Sequence, residues 1–195
     1  MKNIMILGIC RTGKTTFSKM IQKEFRNYQI IEVDTIISAL QRTVPNVPIG
    51  FIHDNLKENR LPEFLNLFIQ KNINKNGKEL GFIINGDSIL PEDLLKYFDL
   101  KDMMVYYFVT EKLSPEQILD NCRKFDSKEE WTTRRSDDEL LNHFKFYKDI
   151  EKKIISDCKM YNIKCIDTSE NRQIVFNQLL DEIKDELNIK KCEIV

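Results

Sequence analysis

Gly8-Ile9-Cys10-Arg11-Thr12-Gly13-Lys14-Thr15, with Thr16 next in line, satisfies the phosphate-binding loop (Walker A) pattern G-x-x-x-x-G-K-[ST] at every fixed position. Its flanks are those the pattern requires. Ile4-Met5-Ile6-Leu7 is an unbroken apolar run, as in a strand buried on both faces of a parallel sheet. After the loop, Phe17, Met20, Ile21 and Phe25 recur at helical spacing. Strand, glycine loop and helix in that order turn main-chain N–H groups and a helix N-terminus toward an anion, because glycine lets the backbone curl tightly. Gly8, Cys10, Arg11, Thr12, Gly13 and Thr16 thus form the expected cradle for a nucleotide's phosphates. Lys14 would set its ammonium on the outer phosphates, and Thr15 would offer a hydroxyl to Mg²⁺. The competing reading is a glycine-rich turn that binds nothing, and the flanks weigh against it.

The chain has 195 residues, so a single domain spanning 1–195 is the economical expectation, with room for a substantial core. Lys and Arg number 30 against 31 Asp and Glu. With no basic face evident, sequence-independent nucleic-acid binding has little electrostatic support. Cysteines 10, 122, 158, 165 and 192 contain no C-x-x-C pair, which argues against a zinc site or a disulfide framework. The N-terminal apolar run is too short for a signal peptide and leads straight into Arg11. No stretch is long and apolar enough to span a bilayer. The expectation is a soluble, cytoplasmic protein.

Further strands are expected at Gln29–Asp34, Gly81–Asp87, Met103–Thr110 and Ile163–Ser169, with helical stretches between them. Such alternation predicts an α/β fold with helices on both faces of a parallel sheet. Ser114-Pro115-Glu116-Gln117 and Ser136-Asp137-Asp138-Glu139 read as capping boxes, the second opening a long helix through Leu140, Phe144, Tyr147, Ile154 and Cys158. Ser169 is expected to cap the last helix, whose apolar face runs Val175, Leu179, Ile183, Leu187. Two stretches break the alternation. Residues 35–80 hold the proline-rich Val44-Pro45-Asn46-Val47-Pro48 and a helix from about Pro62 to Ile73, closed by Asn76-Gly77. Residues 123–136 are polar and strongly charged, with the only Trp of the chain among them. Both are read as parts that move over a site, the alternative being solvated connections.

In an open parallel sheet, ligands sit beyond the carboxyl ends of the strands. The phosphate loop, Asp34 and Asp87 all fall at that edge. Either carboxylate would orient an acceptor hydroxyl, take its proton, or hold Mg²⁺ through water; helix capping alone is the rival role for each. Arg123, Arg134 and Arg135 are the suppliers of positive charge for a migrating phosphoryl group, with a solvated surface arginine as the alternative at each position. Arg42 and Arg60 would serve an anionic acceptor. His53 and His143 show no partner pattern and read as ordinary surface or helix-face histidines.

These residues support a resemblance. Over nearly its whole length the chain resembles the small P-loop kinases of the adenylate kinase and shikimate kinase type. The likeness rests on the loop Gly8–Thr15, the strand ending at Asp34, G-F-I-I-N-G-D at 81–87, the arginine-bearing segment after strand four, and Asp167-Thr168-Ser169. The resemblance implies a three-layer P-loop NTPase fold with strand order 2-3-1-4-5, an acceptor-binding insertion at about 35–80 and a lid at about 123–136. It also implies that Asp34 contacts the acceptor hydroxyl and that Arg123 with Arg134 or Arg135 closes on the ATP phosphates. Thr168 and Ser169 would lie near the adenine. Nucleoside monophosphate kinases carry an arginine soon after the third strand and shikimate kinases a glycine cluster; Asn85-Gly86-Asp87-Ser88-Ile89-Leu90-Pro91 has neither. The acceptor therefore stays open. The reading is an ATP- and Mg²⁺-dependent kinase of a small hydroxylated metabolite, monomeric or homodimeric, with Lys14, Asp34 and Arg134 as catalytic residues, Asp87 or Asp34 in the outer shell of the metal, and no nucleic-acid or membrane partner. The alternative is a nucleotide-dependent regulatory ATPase with no small-molecule acceptor.

Overall fold

The computed structural model describes residues 1–44, 46–54, 56–76 and 80–192, the side chains of 73–76 and 188–192 excepted. The apolar runs become the parallel strands β1 (Asn3–Gly8), β2 (Tyr28–Glu32), β3 (Gly81–Gly86), β4 (Met103–Val109) and β5 (Lys164–Asp167), in the order β2-β3-β1-β4-β5. Ile4 lies opposite Ile83 on one side and Met104 on the other, so the phosphate loop leaves the middle of the sheet's carboxyl edge.

Strand side chains alternate between faces, which sorts the core into two halves. Met5, Leu7, Phe82, Ile84 and Tyr107 pack beneath α2 (Val33–Thr43), α3 (Leu61–Asn76), α4 (Pro91–Tyr97) and α6 (Asp137–Tyr161). Ile4, Ile6, Ile83, Met104, Tyr106 and Phe108 meet α1 (Lys14–Glu24) through Phe17 and Ile21, and α7 (Arg172–Cys192) through Phe176, Leu179 and Ile183. The result is the expected three-layer fold, a five-stranded parallel sheet in the order 2-3-1-4-5 with helices on both faces. A smaller cluster of Ile118, Cys122, Leu140 and Phe144 joins α5 (Pro115–Phe125) to α6. Both capping boxes form: Ser114 accepts the Gln117 N–H at 3.2 Å and Ser136 that of Glu139 at 3.3 Å. Buried Glu151 interrupts the apolar stripe of α6; it accepts the N–H and hydroxyl of Thr110 and pairs with Lys148, fixing α6 to the end of β4.

The local expectations need three corrections. β2 ends at Glu32, and Asp34 stands in the first turn of α2, because buried Val33 packs on Gly86 and starts the helix with no intervening loop. Ser169 does not cap the last helix, which begins at Arg172; its hydroxyl bonds Asp167 and accepts the Lys112 N–H at 3.1 Å. α3 runs to Asn76, and the expected closing Gly77 lies outside the described residues, as does Pro45. Among the described residues no helix is long and apolar enough to cross a membrane. Cys10, Cys122, Cys158 and Cys165 are free thiols.

Candidate functional site

The phosphate loop owes its shape to Gly8 at φ 117°, Arg11 at 63° and Gly13 at 89°. Positive φ along a short loop turns successive N–H groups inward. Gly8 is obligatory for a second reason: a Cβ there would stand 2.1 Å from the Phe108 carbonyl oxygen of the neighbouring strand. α1 begins after Gly13 with no side-chain cap and no acid in its first turn, leaving its leading N–H groups to an anion. Thr12 donates to the Ile9 carbonyl (3.0 Å), while the Thr12 carbonyl accepts the Thr168 hydroxyl (2.9 Å). Lys14 is only 9 % exposed, and its ammonium rests on the Ile9 carbonyl at 2.5 Å. Burial, reinforced by the charge of Asp87, pushes the Cys10 thiol up to about 12, so it holds its proton and is no nucleophile at neutral pH.

A cavity of about 750 Å³ opens over this loop. Cys10, Arg11, Gly13, Lys14, Thr15 and Thr16 line one side, joined by Lys19 and Lys23 of α1 and Arg172 of α7. Glu32, Asp34, Asn85 and Asp87 line the β2–β3 end, and Glu130 with Trp131 close the rim. Positive charge thus collects along α1 and α7, and carboxylates collect at the β2–β3 end. Asp34 lies in the cavity wall with its side chain open to solvent. Crowding by protein, then the charge of Asp87 and to a lesser degree Glu32, pushes its pKa up to about 7 against the opposing pull of Lys14. Asp87 is buried; its Oδ1 accepts the Ser88 hydroxyl at 2.7 Å and its Oδ2 the Tyr147 hydroxyl at 2.8 Å. Neither carboxylate is a helix cap, since α2 has no side-chain cap bond and α4 starts after Leu90. Asn85 donates to the Thr15 hydroxyl (3.1 Å) and to Glu32 (2.8 Å), fixing both at the mouth of the loop.

Arg123 does not line the cavity. Arg123 is a clamp across the segment between α5 and α6: it pairs with Asp137 and donates to the carbonyls of Thr132 (2.9 Å) and Arg135 (2.7 Å). Arg134 and Arg135 do not line the cavity, and Arg135 lies over the Trp131 ring at 5.8 Å. The guanidinium groups at the cavity belong to Arg11 and Arg172. Arg11 in turn pairs with Asp126 and, at 3.3 Å, with Glu130, tying the phosphate loop to the lid. Arg42 and Arg60 are likewise elsewhere. Arg42 stands in the last turn of α2, about 12 Å of helix rise beyond Asp34; Arg60 pairs with Glu63 at 2.8 Å on the surface. Thr168 and Ser169 line a neighbouring cavity of about 280 Å³, which shares Arg11 and Arg172 with the first. The histidines do have partners: His53 stands 5.8 Å from His143, which packs on Tyr147 (4.7 Å) and Trp131 (5.0 Å).

Sequence reasoning passed over Glu32, Asn85, Trp131 and Arg172. The signals that could have found them are a polar side chain inside an apolar strand for Glu32 and Asn85, and a cation just after Asp167-Thr168-Ser169 for Arg172. Chemically, the cavity offers a cationic, amide-lined half and an oxygen-rich half holding a carboxylate that exchanges its proton near neutrality.

No family model and no curated protein sequence matches the chain. Solved structures do resemble it. One is shikimate kinase from Bacteroides thetaiotaomicron, with TM-score 0.55 and 12 % identity over 96 % of this chain and 98 % of that one. Another is an uncharacterized protein from Eubacterium ventriosum ATCC 27560, with TM-score 0.54 and 14 % identity over 96 % and 99 % of the two chains. At identities of 12 % and 14 % the likeness is one of fold.

Proposed function

We propose that this chain is an ATP- and Mg²⁺-dependent phosphotransferase that moves the γ-phosphoryl group to a hydroxyl of a small metabolite. The observation that carries the proposal is the placement of Lys14, buried in an amide-lined loop, on the same cavity as Asp34, whose pKa lies near neutrality. In this reading the loop amides and Lys14 bind and neutralise the β- and γ-phosphates. The base lies toward the smaller cavity beside Thr168 and Ser169. Asp34 accepts the proton of the acceptor hydroxyl as that oxygen attacks phosphorus, and ADP departs. Arg172 and Arg11 are the cations nearest the transferring group; Arg134 and Arg135 would reach it only after the lid moves. The Thr15 hydroxyl, Asp87 and Glu32 are hard oxygen ligands at the loop mouth that suit Mg²⁺, directly or through water, and the ion would screen charge developing on the phosphates. The fold shared with shikimate kinase supports the reaction class and does not identify the acceptor.

The test is ADP release from MgATP across a panel of hydroxylated metabolites. Acceptor-dependent release is expected, rising with pH through about 7 as Asp34 loses its proton. Asp34→Asn should lower it by about a hundredfold or more. Turnover by Asp34→Asn at the parent's rate contradicts the role. One observation favours the second reading, a regulatory ATPase: Arg11 is already held by lid acids, so phosphate arriving at the loop competes for it and frees the lid. Hydrolysis indifferent to every acceptor would select that reading.

A further inference from the structure

Two hydroxyls hold Asp87, and each of them also meets the insertion. Ser88 donates to Oδ1, and the Ser88 oxygen itself accepts the Ile52 N–H of the insertion at 3.2 Å. Tyr147 of α6 donates to Oδ2, and its hydroxyl also lies 3.4 Å from Nδ1 of His53, again from the insertion. His143, one turn before Tyr147, packs on that ring and on Trp131 of the lid. Both oxygens of the carboxylate are thus fixed by hydroxyls that are themselves in contact with the segments flanking the cavity. Tyr147 is buried, yet it belongs to a helix whose other buried residues, Glu151 apart, form an apolar stripe or a cysteine. Packing alone would be served by phenylalanine. The hydroxyl adds the bond to Asp87.

We propose that Tyr147 is a positioning residue for phosphoryl transfer: it fixes the Asp87 carboxylate at the oxygen-rich end of the cavity and links its placement to the insertion through His53 and to the lid through His143. The inference rests on the phosphotransferase reading, in which Asp87 serves the metal or the acceptor. Tyr147 touches no reacting atom. Its contribution is to keep Asp87 in one orientation, and a misplacement of about 1 Å in such a group costs turnover far more than binding.

Tyr147→Phe in the full chain tests this, with MgATP as substrate and water as the surrogate acceptor. The expected result is a fall in kcat for ADP release of roughly tenfold or more, with KM for MgATP and Kd for MgADP within about twofold of the parent. Ser88→Ala, which removes the other donor to Asp87, should move kcat in the same direction and serves if Tyr147→Phe does not fold. Tyr28→Phe is the control. It deletes the hydroxyl of another buried tyrosine, one bonded to the Lys2 carbonyl at 2.7 Å, and should leave kcat unchanged. Hydrolysis by Tyr147→Phe at the parent's rate, or losses in kcat and MgADP affinity of the same size, overturns the positioning role while leaving the phosphotransferase reading intact. A parent protein that binds no MgADP removes both.

Discussion

The pKa of Asp34 is raised from 3.8 to about 7 by burial and by the charge of Asp87, so the fold disfavours its charge. The proton is therefore held more tightly in the folded chain than in the unfolded one, and the stability this group contributes in acid is lost as pH rises from near 3.8 through about 7. Asp34→Asn should accordingly raise Tm at about pH 8, with the gain shrinking at about pH 5; a gain that grows toward acid would contradict the assignment. Lys14→Ala should abolish tight binding of magnesium nucleotide while the fold persists, as read by calorimetry and circular dichroism. The reason Lys14 was legible and Tyr147 was not is physical. Lys14 lies inside one contiguous loop whose spacing encodes its task. Tyr147 acts on Asp87, 60 residues away in sequence, and on its own helix it is indistinguishable from a core aromatic.

The phosphate loop works because it is wedged between elements. Gly8 meets β4 so closely that Gly8→Ala should cost about 3 kcal/mol or more, from the close contact and the left-handed backbone together, measured by denaturant unfolding. Ser136→Ala removes the cap of α6 and should cost about 1 kcal/mol in the same measurement. Strands and caps were readable because each is a local signal: an apolar run, or a serine three residues before Glu or Gln. Boundaries decided by packing were less so, and Asp34 passed from strand end to helix because Val33 against Gly86 starts α2 at once. The partners of Arg123 were hidden on the same ground. Sequence records its charge, while its partners Asp137, Thr132 and Arg135 appear only when α5 folds back along α6.

Across the molecule, one sheet edge gathers a phosphate cradle from β1 and α1, carboxylates from β2, α2 and β3, and a rim from the segment between α5 and α6. The rim carries Trp131, the only tryptophan of the chain and 37 % exposed, so its emission reports on that segment alone. Nucleotide that competes for Arg11 should release Asp126 and Glu130 and shift the Trp131 spectrum; a spectrum indifferent to saturating MgATP would mean the lid does not respond. Strand order followed from the resemblance, but the meeting of His53 with His143 depends on long-range packing that no local pattern encodes. The account as a whole stands on the phosphate loop gripping a triphosphate. Isothermal titration of MgATP into the parent and into Lys14→Ala tests it most directly: the account predicts saturable binding by the parent and its loss in the variant, and equal binding by both, or none by the parent, would contradict it.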